Sequence, residues 1–221
     1  MKYLQVYIII FGINMMIMFV VGMWMPDYRG YLAHEDSLVE NLSAFFFLCT
    51  FFLGLLFILK GTKNKKALIF VSVIGLLGFL DEISFGERMF ALNMPRVHGM
   101  PIDSAHDLFT LGYRLIEELA HSYSVLVYSL IGIGVILIAK LALKNKYEIA
   151  EIIKRIQNNQ TYILALIFTL FIFAALIIDL DILHIKGIFI IEESLEMNAA
   201  LALLFCSLSL YDQNYKKEVP I

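Results

Sequence analysis

Ile191-Glu192-Glu193-Ser194-Leu195-Glu196-Met197-Asn198 sets three carboxylates at the mouth of an apolar run, about residues 188–210. A run of that length crosses the hydrocarbon core as a helix, so the stretch reads as the acidic start of a membrane span. Glu35-Asp36-Ser37-Leu38-Val39-Glu40-Asn41 has nearly the same form ahead of an earlier apolar run. With Glu35 set against Glu192, Ser37 matches Ser194, Leu38 matches Leu195, Asn41 matches Asn198 and Cys49 matches Cys206, with Asp36 opposite Glu193. The chain repeats itself around an acidic helix start.

Working outward, six apolar runs of span length can be drawn, at about residues 4–24, 38–59, 67–85, 116–139, 161–179 and 188–210. The 221 residues are 60% hydrophobic and 17% charged, with a mean hydropathy of +0.80, outside the usual range of soluble globular domains. The expected fold is all-α: one polytopic membrane domain over residues 1–221, with six transmembrane helices as three hairpins. The first run is too long for the apolar core of a signal peptide, and Gly22-Met23-Trp24-Met25 offers no small-residue cleavage site. Cys49 and Cys206 lie inside apolar runs, where no disulfide framework or CxxC motif exists and small packing roles are expected.

Orientation follows from the connecting segments, because Lys and Arg are retained on the cytoplasmic side. Lys2, Lys60, Lys63, Lys65, Lys66, Lys140, Lys144, Lys146, Lys154, Arg155, Lys216 and Lys217 fall on one side, which places both termini in the cytoplasm. Arg29, Arg88, Arg96, Arg114 and Lys186 fall outside. Only Glu148, Glu151, Asp212 and Glu218 of the 20 acidic residues join the inner side, and all five histidines lie on the outer side. Twelve basic and four acidic residues give the inside a formal charge of +8, while five basic and sixteen acidic give the outside −11. The expected location is the cell inner (plasma) membrane, with membrane lipids as partners, no nucleic acid, and a homo-oligomer open.

Between the third and fourth runs lies an outer segment, about 86–114, holding Pro95, His98, Gly99 and Pro101 and too apolar for a free linker. It is expected to lie in the interface or fold over the bundle, as a lid or substrate-facing element. Asp103 is placed to cap a helix carrying His106 and Asp107, which runs on through Arg114 into the fourth span with Gly112 as a bend. Glu117, Glu118 and His121 then form a third acidic helix start, with Glu118 and His121 sharing a face at i,i+3. Residues 144–160 read as a cytoplasmic amphipathic connector with Ile149, Ile152, Ile153 and Ile156 toward the membrane surface.

The carboxylates divide by where they sit on their helices. Glu35, Asp36, Glu117, Glu118, Glu192 and Glu193 stand at helix starts, where the dipole alone accounts for them. Asp81, Glu82, Asp179 and Asp181 stand at helix ends, where a carboxylate is disfavoured by up to about 1 kcal/mol. Glu40 and Glu196 sit a turn deeper into their spans, where ionisable groups commonly face a cavity or partner. Crowded carboxylates repel, which favours either a shared proton or a bound cation.

His106, His121 and His184 turn the expectation toward a divalent metal, zinc, manganese or iron, held by oxygen and imidazole. The expected metal set is Asp81, Glu82, His106, Glu118, His121, Asp179, Asp181, His184, Glu193 and Glu196. Glu82, His106, Asp107, Glu118 and His121 are placed nearest the chemistry. Glu118-x-x-His121 supplies one half of a diiron-bundle pattern, and Asp103-x-x-His106 is an imperfect second on the same segment. A serine nucleophile from Ser37, Ser84, Ser104, Ser122 or Ser194 would need one of the histidines as base. No HExxH, Gly-rich phosphate loop or GxSxG elbow is present.

Asp81-Glu82-Ile83-Ser84-Phe85-Gly86-Glu87-Arg88, followed by Asp103-Ser104-Ala105-His106-Asp107, resembles a pattern in uncharacterised bacterial multi-pass membrane proteins. That pattern is an acidic pair, Ile-Ser, an aromatic and Gly, then Asn/Asp-x-x-His-Asn/Asp. This chain has Phe85 where the pattern has tryptophan and Glu87 where it has glutamine. The resemblance covers about residues 80–108 and implies that these residues form one site, with no activity attached.

Three functions are therefore open. The first is a membrane-embedded, metal-dependent enzyme acting on a lipid or lipid-linked substrate. The second is a cation or proton transporter or channel with an acidic outer vestibule. The third is a non-catalytic subunit, sensor or defence effector. A transporter needs a polar path through the inner half of the bundle. The second, fourth and sixth runs offer only Thr50, Ser129 and Ser207 or Ser209 there, which favours a one-sided site.

Overall fold

The computed structural model describes residues 1–32, 37–84, 96–97, 100–101, 105–180 and 189–215. Nine α-helices are described: α1 (Lys2–Trp24), α2 (Arg29–Leu32), α3 (Leu38–Leu59), α4 (Lys65–Glu82), α5 (Ala105–Ser122), α6 (Ser124–Lys144), α7 (Lys146–Gln157), α8 (Gln160–Asp179) and α9 (Phe189–Tyr215). A 3-10 turn, Pro26–Tyr28, joins α1 to α2. Two short strands, β1 (Arg96–Val97) and β2 (Met100–Pro101), pair antiparallel with Arg96 opposite Pro101 and Val97 opposite Met100. The protein is helical, and α1, α3, α8 and the Ile190–Gln213 part of α9 are long and apolar enough to cross a membrane. α1, α3 and α8 are apolar round most of their circumference, as membrane spans are, whereas α9 also carries acidic and amide side chains.

α9 is the axis of the bundle. Met197, Ala199, Ala200, Leu201, Ala202, Leu203, Cys206 and Leu210 are all buried, packed among α1, α3, α4 and α8. Short side chains from Ala199 to Ala202 let neighbouring backbones approach closely, which is how helices associate where lipid removes the hydrophobic drive. At the far end of the bundle Tyr211 stacks on Phe57 with centroids 4.1 Å apart, and the Lys60 ammonium lies 5.8 Å from the Tyr211 ring. There α8 and α9 are also tied by polar groups: Thr161 Oγ1 and Ser209 Oγ lie 2.7 Å apart, and Gln213 Nε2 donates to Asn159 Oδ1 at 2.7 Å.

α4 carries Lys65, Lys66, Asp81 and Glu82 at its ends, yet it packs tightly on α3. A Cβ at Gly75 would meet the Phe47 carbonyl at 2.9 Å, one at Gly78 would meet the Phe47 ring at 2.7 Å, and one at Gly54 would collide with Ser72 Oγ. Three glycines thus fix the α3–α4 contact. Buried hydroxyls along these helices turn back on their own backbones. Ser43 donates to Val39 O, Thr50 to Phe46 O, Ser72 to Leu68 O and Ser207 to Leu204 O.

Two expectations change. The helix expected to run from Asp103 on into the fourth apolar run is two helices: it breaks at Tyr123 (φ −132°, ψ 45°), and α6 starts at Ser124. The reason is periodicity, since Leu108, Leu111, Gly112, Leu115 and Leu119 form one apolar stripe on α5 with Arg114, Glu117, Glu118 and His121 off it. Glu117 and Glu118 are therefore near the end of an amphipathic helix rather than at the acidic start of a span. No bend at Gly112 interrupts α5. The second change is at Glu40, which lies in the first turn of α3 because that helix starts at Leu38, so the dipole favours it after all. The connector α7 is a separate amphipathic helix, as the isoleucine spacing implied.

Candidate functional site

The carboxylates meet at one end of the bundle. Glu40 enters from the first turn of α3, Asp81 and Glu82 are the last two residues of α4, and Glu193 and Glu196 lie in the first two turns of α9. All five are half-buried, and Glu193 Oε2 is shielded from solvent. Among the described residues, Glu196, Glu193, Glu40 and Asp81 lie close enough to Glu82 for their charges to act on its carboxyl group. Glu82 is the focus because α4 ends where α3 and α9 begin.

α4 also ends abruptly. Ile83 N donates to Phe79 O at 3.2 Å and Ser84 N to Asp81 O at 3.0 Å, with Ser84 in the left-handed region at φ 43°. A left-handed residue just past a helix is a common stop, usually a glycine. This turn holds Asp81 and Glu82 at the helix end, where only a partner outside the helix can offset the dipole.

Beneath the cluster, α1 and α9 share a polar contact. Asn14 Nδ2 donates to Asn198 Oδ1 at 3.1 Å, Asn198 Nδ2 donates to Ser194 O at 2.7 Å, and Tyr7 Oη donates to Asn198 O at 3.3 Å. Ser194 Oγ points at Met15 Sδ, 3.3 Å away. These bonds fix the rotation of α9 and with it the face that presents Glu193 and Glu196. The counterpart stretch makes the same local bond: Asn41 Nδ2 donates to Ser37 O at 2.7 Å, and Ser37, like Ser194, is buried.

Tyr7, Asn14 and Met15 were missed in the sequence reading. Asn14 gave a signal, a lone amide midway along an apolar run, where an unsatisfied polar group is costly.

The other expected members are on α5 and α8 or lie outside the described residues. Asp179 ends α8 and receives a hydrogen bond from Thr110 Oγ1 of α5 at 3.2 Å, and it is not among the charges acting most on Glu82. Glu118 and His121 are exposed on α5. His106 and Asp107 belong to α5 by backbone, with side chains outside those described. Asp181 and His184 lie outside the described residues, as do Glu35, Asp36, His34, His98, Asp103, Ser104 and the Phe85–Arg88 part of the motif. Among the described residues, no group of three or more His, Cys, Asp or Glu is arranged to hold a metal ion. Cys206 is buried with Sγ 3.7 Å from Thr161 O, while Cys49 is half-buried.

Compared with family models, curated proteins and solved structures, the chain matches none of them.

Proposed function

We propose that the chain is a six-span protein of the cell inner membrane, with both termini cytoplasmic. Its carboxylate cluster forms a one-sided site that takes a cation from the non-cytoplasmic side. The observation that carries this reading is the placement of the acids: Glu40 of α3, Asp81 and Glu82 of α4, and Glu193 and Glu196 of α9 come together, half-buried, at one end of the bundle. Carboxylates brought together from three helices in a half-buried place make an acidic surface that suits a cation or a shared proton. α4 and α6 complete the six spans. α4 is apolar between its charged ends, and α6 exposes Val125, Leu130, Ile136 and Ile138, as a lipid-facing helix does.

One-sidedness rests on the inner half of the bundle, where, among the described residues, the Thr50, Ser72 and Ser207 hydroxyls are each bonded to their own helix backbone. That favours binding, or chemistry on a lipid or lipid-linked substrate, over passage across the membrane. In an enzyme of this kind a divalent metal would polarise the substrate or activate water.

A second reading, a site that shares protons, is favoured by the crowding of carboxylates around Glu82, since neighbouring carboxylates hold a proton between them.

Elemental analysis of the purified chain separates the two. The metal reading expects stoichiometric zinc, manganese or iron that is lost in Glu82→Gln and retained in His121→Ala. Well-folded protein without metal leaves proton sharing. Cation flux in liposomes that disappears with Glu196→Gln would overturn one-sidedness.

A further inference from the structure

We propose that α7 is an interfacial anchor selective for anionic lipid, seated in the leaflet at the N-terminal end of α8. Asn158 and Asn159 alone separate α7 from α8, so α7 lies where a span-length helix enters the bilayer. Ile149, Ile152, Ile153 and Ile156 recur at i, i+3, i+4 and i+7 and share one face. Ile152 and Ile153 are about half exposed, at 54% and 49%. A row of branched aliphatic side chains at that boundary fits acyl chains better than water.

Charge selects the lipid. Lys140 and Lys144 close α6, and Lys146, Lys154 and Arg155 lie on α7, against Glu148 and Glu151. Five basic and two acidic residues leave a formal +3 on this corner. Arg155 pairs with Glu151, Nη2 to Oε1 at 2.7 Å, and Lys146 Nζ lies 5.0 Å from the centre of the Tyr147 ring; Lys144, Lys146, Lys154 and Arg155 are all exposed. Long basic side chains beside an apolar helix face reach lipid phosphates while their stems stay in the interface. Anionic headgroups complement this charge, and neutral headgroups do not. The corner lies at the opposite end of α8 from Asp179, so its failure would leave the carboxylate reading untouched.

The test uses the full chain with Trp24→Phe, which removes the single native tryptophan, and Ile153→Trp as reporter. It is reconstituted in vesicles of phosphatidylcholine and phosphatidylglycerol in which one or the other lipid is brominated. The expected result is at least about twofold stronger quenching by brominated phosphatidylglycerol at equal mole fraction, with the difference lost in Lys144→Gln/Lys146→Gln/Lys154→Gln. A second reporter, Phe173→Trp on the exposed side of α8, is quenched alike by both lipids and establishes insertion. Equal quenching of the Ile153→Trp reporter by both lipids overturns the charge selectivity. A reporter reached by neither lipid, while Phe173→Trp is quenched, overturns the interfacial placement and is what a protein partner on this face would give.

Discussion

Asn198 shows how a single side chain sets the site. It is fully buried, it receives a bond from Asn14, and it bonds Ser194 one turn back. Asn198→Ala removes the α1–α9 bond and leaves the Asn14 amide seeking another partner. Hydrogen bonds between membrane helices average well under 2 kcal/mol, so a loss of about 1 kcal/mol is expected, read by denaturant titration of the chain in detergent. Glu82→Gln acts in the opposite direction. Neutralising the carboxylate at the focus of four like charges relieves repulsion, so the cation-free variant should be more stable than the native chain. A destabilised Glu82→Gln would mean that the group already has a positive partner within the protein. The sequence could flag Glu82 and Glu196, because helix-end carboxylates and acids inside a span both run against the electrostatics. It flags Glu40 on the same ground as Glu196, but that Glu40 meets the others depends on α3 and α9 packing side by side.

At the scale of elements, the α3–α4 pair is the most exacting contact. Gly75→Ala puts a methyl 2.9 Å from the Phe47 carbonyl, backbone that cannot move aside cheaply. A loss of about 1–3 kcal/mol follows, the usual cost of overpacking, and the same titration measures it. Ser84→Gly should gain about 1 kcal/mol, because glycine carries no penalty in the left-handed region that Ser84 occupies at φ 43°. The helical runs were legible because apolar length is a strong signal, and α3 starts and ends where its run does, at 38–59. The break at Tyr123 within 116–139 was not legible because an amphipathic stripe there adjoins an apolar run. Both are rich in leucine, and only the spacing of Arg114, Glu117, Glu118 and His121 separates them. Glu118 and His121, expected at the mouth of a span, are exposed near the end of α5.

For the whole molecule, the arrangement concentrates acid at one end of a bundle and small, internally bonded hydroxyls toward the other. α9 joins the two, with Glu193 and Glu196 near its start and Ser209 and Gln213 near its end. The repeat of Ser37–Asn41 and Ser194–Asn198 survives as the same side-chain-to-backbone bond on neighbouring helices, a likeness the alignment could raise and only the fold could show. The proposed orientation is checked by single cysteines in a Cys49→Ala/Cys206→Ala background. One at Lys63 or Asn158 should resist an impermeant thiol reagent in intact cells, and one at Asp27 should react.

The most direct test of the carboxylate site is calorimetric titration of the purified chain with manganese. The account predicts one site per chain, weakened at least about tenfold, or about 1.4 kcal/mol, by either Glu82→Gln or Glu196→Gln and unchanged by Glu118→Gln. Affinity that is unchanged in Glu196→Gln, or lost in Glu118→Gln, would contradict it.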